Sequence, residues 1–243
     1  MQKQEPPTQQ YFIRPDRRQT SEAAAEPKAK KQTADAAEEE ESYTSPVDFE
    51  ALHAVNEDIY AWLDIPETQI SYPILQHPED DTYYLRRSLD GQSDRNGVIF
   101  TEASYNGRDF SDPVTVVYGH NMYNGQMLST LQYEYSSAEA LAAHEQIIVY
   151  LPDQELHYTV FAAVPFDNRH ILYNYDFTNR RTFRLFFKEI LSVRALDAVF
   201  VENVSVLAGD RVLILSTCLS ANQNNRFLVC GKLSETIPIK TTD

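Results

Sequence analysis

The segment VLILSTCLSANQNNRFLVCGKL, residues 212–233, decides how this chain is read. Two apolar runs of strand length, VLILST and RFLVCGKL, flank the polar linker LSANQNN, the pattern of two strands joined by a loop. The first run turns from apolar to polar at Ser216-Thr217-Cys218-Leu219-Ser220, as a strand does where it emerges at a sheet rim. The second starts on Arg226, and the two-residue side-chain period puts Arg226, Leu228 and Cys230 on one face. A cysteine and an arginine therefore stand at the two ends of one loop. For Cys218 two readings are open: a packed small hydrophobe, the commonest fate of a free thiol, or a nucleophile. Arg226 is either a solvated rim residue or a fixed guanidinium able to hydrogen-bond an oxyanion. Cys230 reads as a core thiol; a bridge to Cys218 is the alternative, and it would block the nucleophile.

Working outward, further β-type runs precede this pair: GVIFTEA, PVTVVYG, QIIVYLP and LHYTVFAAVPF, most of them bounded by turn residues. Two helical interruptions fall among them, MLSTLQYEYSSAEALAAH and FTNRRTFRLFFKEILSVRAL. In the latter, Phe183, Phe186 or Phe187, Ile190 and Leu191 form an apolar stripe. Before the strands, Leu52, Val55, Ile59 and Leu63 recur at helical spacing behind Ser45 and Pro46, predicting one amphipathic helix or two short ones closed by Pro66. The order of elements predicts a mainly β fold, a closed or partly closed antiparallel barrel with helices before it and a helix inserted late.

Residues 1–45 contain seven basic and nine acidic residues with almost no apolar clustering, so they read as a disordered acidic, Ala-rich tail or stalk ahead of a domain spanning 46–243. Almost all of the formal charge of −15 therefore belongs to the domain. Its acidity and lack of clustered Lys and Arg exclude a nucleic-acid partner. Two cysteines cannot form a disulfide framework, and no C-x-x-C pair suggests structural zinc. No apolar run is long enough to cross a membrane.

The remaining chemistry-bearing stretch is VTVVYGHNMYNGQM, residues 114–127, in which an apolar strand runs into Tyr118-Gly119-His120-Asn121-Met122. A histidine at a strand end beside a glycine is placed to act on something held above the sheet, although any one of the six histidines can equally be a surface or packing residue. Taken with Cys218, the imidazole gains a role, because a thiol attacks as thiolate and a neighbouring imidazole favours that form.

The pair YGHNM…GxM and LSTC…R, in this order, resembles a sortase. The class B details are the segment NEDIYAWLDIPETQISYPILQ, the NGVIF strand, the Asn after the histidine and the long helix before the cysteine strand; the resemblance covers roughly residues 46–235. It implies an eight-stranded β-barrel cysteine transpeptidase on the outer face of a Gram-positive cell membrane. Such an enzyme attacks the Thr carbonyl of a sorting signal near the C-terminus of a surface protein, then passes the acyl group to an amine of a peptidoglycan precursor. Carried over by position, Cys218 is the nucleophile, His120 the acid/base and Arg226 the holder of the oxyanion. Tyr118, Asn121 and Ser216 match groove-lining positions, and Leu172, Tyr173 and Tyr175 resemble the loop that closes over the signal. The resemblance implies single-pass anchoring through an N-terminal segment that would precede the stalk, and no cofactor. With no carboxylate cluster like the class A calcium site, no metal is expected. One departure stands out: LSANQNN carries no acidic residue, which leaves the orientation of Arg226 unexplained. Alternatives are a pilin-polymerising sortase with a pilin Lys as acceptor, a plain cysteine hydrolase, and a non-catalytic β-barrel binding module in which Cys218 is inert.

Overall fold

The strands are built from runs of largely apolar, buried residues, and their pairing closes a ring. The computed structural model describes residues 9–15, 44–220, 222 and 224–239. Its strands are β1 (Ile59–Asp64), β2 (Ser71–Leu75), β3 (Ile99–Phe100), β4 (Val114–Tyr118), β5 (Gln146–Tyr150), β6 (Gln154–Phe166), β7 (Val199–Phe200), β8 (Val212–Cys218) and β9 (Arg226–Pro238). The order β5-β1-β2-β3-β4-β8-β9-β6 returns to β5 through β5–β6 pairs, so eight strands form a closed barrel, and the two-residue β7 adds to β6. Closure leaves no free edge in the ring.

The barrel is not purely antiparallel, as the sequence had suggested. β2 pairs with β3, and β4 with β8, in parallel. Parallel neighbours need long crossovers, and the chain supplies them. The crossover from β4 to β8 carries α2 (Leu131–Glu134), α3 (Ala138–Ala143), α4 (Ile171–Asn174), α5 (Arg180–Ile190) and three further strands.

The other differences lie at the N-terminus. The helix predicted to run through Ile59 and Leu63 stops after α1 (Phe49–Val55), where Asn56 is extended at φ −159° and ψ 120°. Ile59 and Leu63 belong instead to β1, whose six residues are all buried, so period alone misled: a fully buried strand has no polar face to reveal it. The cap is Asp48, whose side chain accepts from Ala51 N, and not Ser45. The tail reading needs amendment at residues 9–15, which lie against the barrel. Phe12 stacks on Trp62 with centroids 5.4 Å apart, and Arg14 pairs with the buried Asp64 at 2.5 Å. One aromatic and one guanidinium suffice to dock a segment whose average composition is that of a linker. Residues 16–43 lie outside the described residues.

Alternation along the strands separates three apolar clusters. Leu213, Leu215, Phe227 and Val229 point into the barrel with Val117, Val149 and Tyr158. On one outer face, Val116, Ile214, Leu228 and Cys230 meet Phe183, Phe186, Phe187 and Ile190 of α5, the stripe predicted from the sequence. On the other, Phe12, Phe49, Leu52, Trp62 and Tyr150 close over β1 and β5. Cys218 and Arg226 have the parity of the α5-covered face, one residue step beyond its apolar part.

Candidate active site

Register alone brings the first two residues together. Cys218, the last residue of β8, is the direct cross-strand partner of Arg226, the first of β9; below them Ser216 faces Leu228 and Ile214 faces Cys230. Direct antiparallel partners carry their side chains on the same face, with Cβ atoms about 5 Å apart. The connecting loop extends the ladder rather than breaking it. Leu219 N donates to Asn225 O at 3.0 Å, Asn225 N to Asn222 O at 2.8 Å and Asn222 N to Leu219 O at 3.2 Å. Asn222 Oδ1 also accepts from Asn224 N at 3.1 Å, an Asx-type turn. Arg226 is thus aimed by strand register and a hydrogen-bonded loop, and a loop without carboxylates is sufficient for that. Cys218 and Cys230 are both free thiols, and complete burial pushes that of Cys230 well above the usual range.

His120 reaches the same rim because β4 runs parallel to β8, with Tyr118 beside Ser216. The residues on either side of it are bonded to the cysteine strand. Gly119 N donates to Ser216 O at 3.2 Å, and Asn121 Nδ2 donates to Cys218 O at 2.8 Å. Glycine is required at 119, since a Cβ there would lie 2.7 Å from Leu128 Cγ. The imidazole Nε2 lies 2.8 Å from Leu85 O. A carbonyl only accepts, so Nε2 carries the proton and Nδ1 is the nitrogen left for proton exchange. Gly97, at φ +55°, passes so close to Leu85 that a Cβ there would lie 2.6 Å from Leu85 O.

The predicted groove residues divide. Ser216 is buried beneath the rim; the Tyr118 ring stacks on Phe100 with centroids 5.5 Å apart. Burial, reinforced by the nearby Glu102 carboxylate, drives the Tyr118 phenol far above its ordinary range. Asn121 acts as a strut, its amide nitrogen engaged by Cys218 O and by Ser220 Oγ at 2.8 Å. Leu172 packs on the outer cluster and Tyr173 is 76% exposed, both on α4. Tyr175 braces α5: it stacks edge-on against Phe186, 4.8 Å between centroids, and its hydroxyl donates to Glu189 at 3.1 Å.

Several supporting residues escaped the sequence reading. Gln132 grips Ser220 twice, Nε2 to Oγ at 2.9 Å and Oε1 from the backbone N at 3.1 Å. Leu85 contributes only a carbonyl, which no side-chain pattern reveals. Glu102 and His170 meet at 2.8 Å beside Tyr118, though 68 positions apart in the chain. The one available signal was Glu102 itself, a carboxylate directly after the apolar run GVIFT.

The chain resembles known proteins over most of its length. The sortase domain model matches residues 63–234. Sortase B of Listeria monocytogenes is 30% identical over 184 residues, covering 75% of this chain and 72% of the relative. A Staphylococcus aureus sortase B–substrate complex superposes with a TM-score of 0.65 at 26% identity, over 77% of this chain and 84% of that one. A Streptococcus pyogenes class B sortase involved in pilus biogenesis gives 0.64 at 25% identity, over 77% and 98%. A closed eight-stranded barrel, a thiol facing a guanidinium across its rim and these likenesses lead to one conclusion: the chain belongs to the sortase family of cysteine transpeptidases, and its relatives are those of class B.

Proposed function

We propose that this enzyme cleaves a sorting signal after its Thr and transfers the surface protein to an amine of a peptidoglycan precursor. The observation that carries the proposal is the Cys218–Arg226 cross-strand pair with His120 tied to the same strand. Cys218 gives its proton to His120 Nδ1, and its Sγ, now a thiolate, attacks the Thr carbonyl carbon. The carbonyl oxygen takes the electron pair, and Arg226 donates to it; a planar guanidinium keeps its charge while doing so. Collapse expels the peptide amine, which takes a proton from His120 Nδ1 and leaves a thioester on Cys218. The acceptor amine then attacks, His120 Nδ1 recovers the proton, and the thiolate departs. Leu85 O fixes the ring throughout by holding Nε2–H.

The family is surface-associated in Gram-positive bacteria, and we place this enzyme at the outer face of the membrane behind a single N-terminal anchor. No helix among the described residues is long and apolar enough to cross a membrane, so the anchor would lie outside them. The likeness to a class B sortase involved in pilus biogenesis favours a second reading, in which the acceptor is a pilin lysine. Fluorogenic NPQTN-like and xPxTG-like peptides, offered with a glycine-type amine, a lysine peptide or no amine, test both. Amine-dependent ligation of one signal supports the proposal, and the preferred amine chooses between wall and pilus. Cleavage that persists in Cys218→Ala would sink the mechanism.

A further inference from the structure

A buried carboxylate and an imidazole outside the reacting set join two walls of the site. Glu102 is only 7% exposed, and its Oε1 lies 2.8 Å from His170 Nε2. His170 is the N-cap of α4: its Nδ1 accepts from Tyr173 N at 3.1 Å. Because Nδ1 is an acceptor there, Nε2 must hold the proton and donate it to Glu102. The Tyr118 hydroxyl also lies beside this carboxylate and interacts with it. Glu102 is rigidly mounted, with its carbonyl accepting from Tyr105 N at 3.1 Å and Asn106 N at 3.0 Å.

The segment held at the far end of this contact cannot hold itself. α4 has four residues, too few for a helix to persist on its own hydrogen bonds. It follows β6, whose last residue, Phe166, pairs with Arg226, so α4 belongs to the same rim as the reacting groups. Its contacts to the barrel are Ile171, which is buried, Leu172, which is partly so, and the His170 ring, 5.2 Å from Tyr105 and 6.3 Å from Tyr118 between centroids. Of these contacts to the barrel, the His170–Glu102 bond is the directional one; Arg169 and Tyr175, on either side of α4, tie it instead to Glu189 of α5.

We infer that Glu102 is a positioning residue for peptide capture: through His170 it clamps α4 against the barrel, fixing the distance between the α4 wall, carrying Leu172 and Tyr173, and Tyr118. The inference rests on the transpeptidase reading above. Loss of the clamp loosens the wall without touching Cys218, so it weakens capture and spares chemistry. Glu102→Gln keeps a carbonyl to accept from His170, and burial already disfavours the Glu102 charge, so the amide preserves the clamp. His170→Asn retains a good N-cap for α4 but is too short to reach Glu102.

The test compares Glu102→Ala, Glu102→Gln, His170→Asn and the double variant Glu102→Ala/His170→Asn. For a cleaved peptide, both disruptive singles are expected to raise KM about tenfold, the size of one lost buried hydrogen bond, with kcat held within about threefold. The double variant is expected to be no worse than either single, and Glu102→Gln to stay near the parent. Alkylation of Cys218 by iodoacetamide is expected to be unchanged in all four. Hydrogen exchange at the amides of 171–175 should quicken in the three disrupted proteins and not in Glu102→Gln. Unchanged KM and exchange overturn the clamp, as does an equal fall of kcat in Glu102→Gln and Glu102→Ala, which would make the charge part of the chemistry. If the parent cleaves no peptide, the proposed function fails, while the exchange measurement still decides the clamp.

Discussion

The two outer faces of the barrel are covered in different ways. Over β1 and β5 the cover is aromatic and closed: Phe12, Phe49, Trp62 and Tyr150 pack together, and a buried carboxylate at the margin, Asp64, is met by Arg14. Over β4, β8 and β9 the α5 phenylalanines cover only the lower part. Above them that face ends in Ser216, Cys218 and Arg226, a polar rim in place of an apolar cover. The first face is given wholly to packing, and the second leaves its strand ends polar.

The contrast can be broken from either side. Cys218→Ala should lower transpeptidation about a thousandfold or more, while urea denaturation shows the fold nearly unchanged, because the thiol is half-exposed at a strand end. On the opposite face Phe12→Ala removes the ring that stacks on Trp62 and Tyr150. It should cost about 3 kcal/mol in denaturant unfolding and leave turnover intact well below the transition. Arg226→Lys should cut kcat/KM about a hundredfold, since a point charge does not reproduce a guanidinium fork on the oxyanion; near-normal turnover would remove Arg226 from the site. Arg14→Ala takes a cation from the buried Asp64 and should cost about 2 kcal/mol, again without a kinetic effect. Gln132→Ala is the mildest: it frees Ser220, next but one to the cysteine, and should lower kcat/KM about fivefold, roughly 1 kcal/mol of positioning.

The same contrast explains what was legible in the sequence. The reacting rim announces itself because apolar strands break into polar, chemistry-bearing residues at their ends, as at Ser216-Thr217-Cys218 and Tyr118-Gly119-His120. Parity along β9 put Arg226, Leu228 and Cys230 on one face, and the α5 stripe followed from helical spacing. The stabilising face was misread, since IYAWLD, buried throughout, offers the spacing of a helix as readily as that of a strand. Phe12 and Arg14 were hidden in a linker-like composition. Parallel pairing, the Leu85 carbonyl on His120, and the Gln132–Ser220 and Glu102–His170 contacts depend on long-range register, which local pattern does not encode.

The central claim is that Cys218 carries the acyl group between donor and acceptor. Intact-protein mass spectrometry after mixing with a cleaved signal peptide, with no amine acceptor present, tests it most directly. The account predicts a single adduct of the peptide's N-terminal fragment, mapped to Cys218, released by hydroxylamine and absent in Cys218→Ala. Cleavage without any adduct that hydroxylamine can trap, or an adduct on another residue, would contradict it.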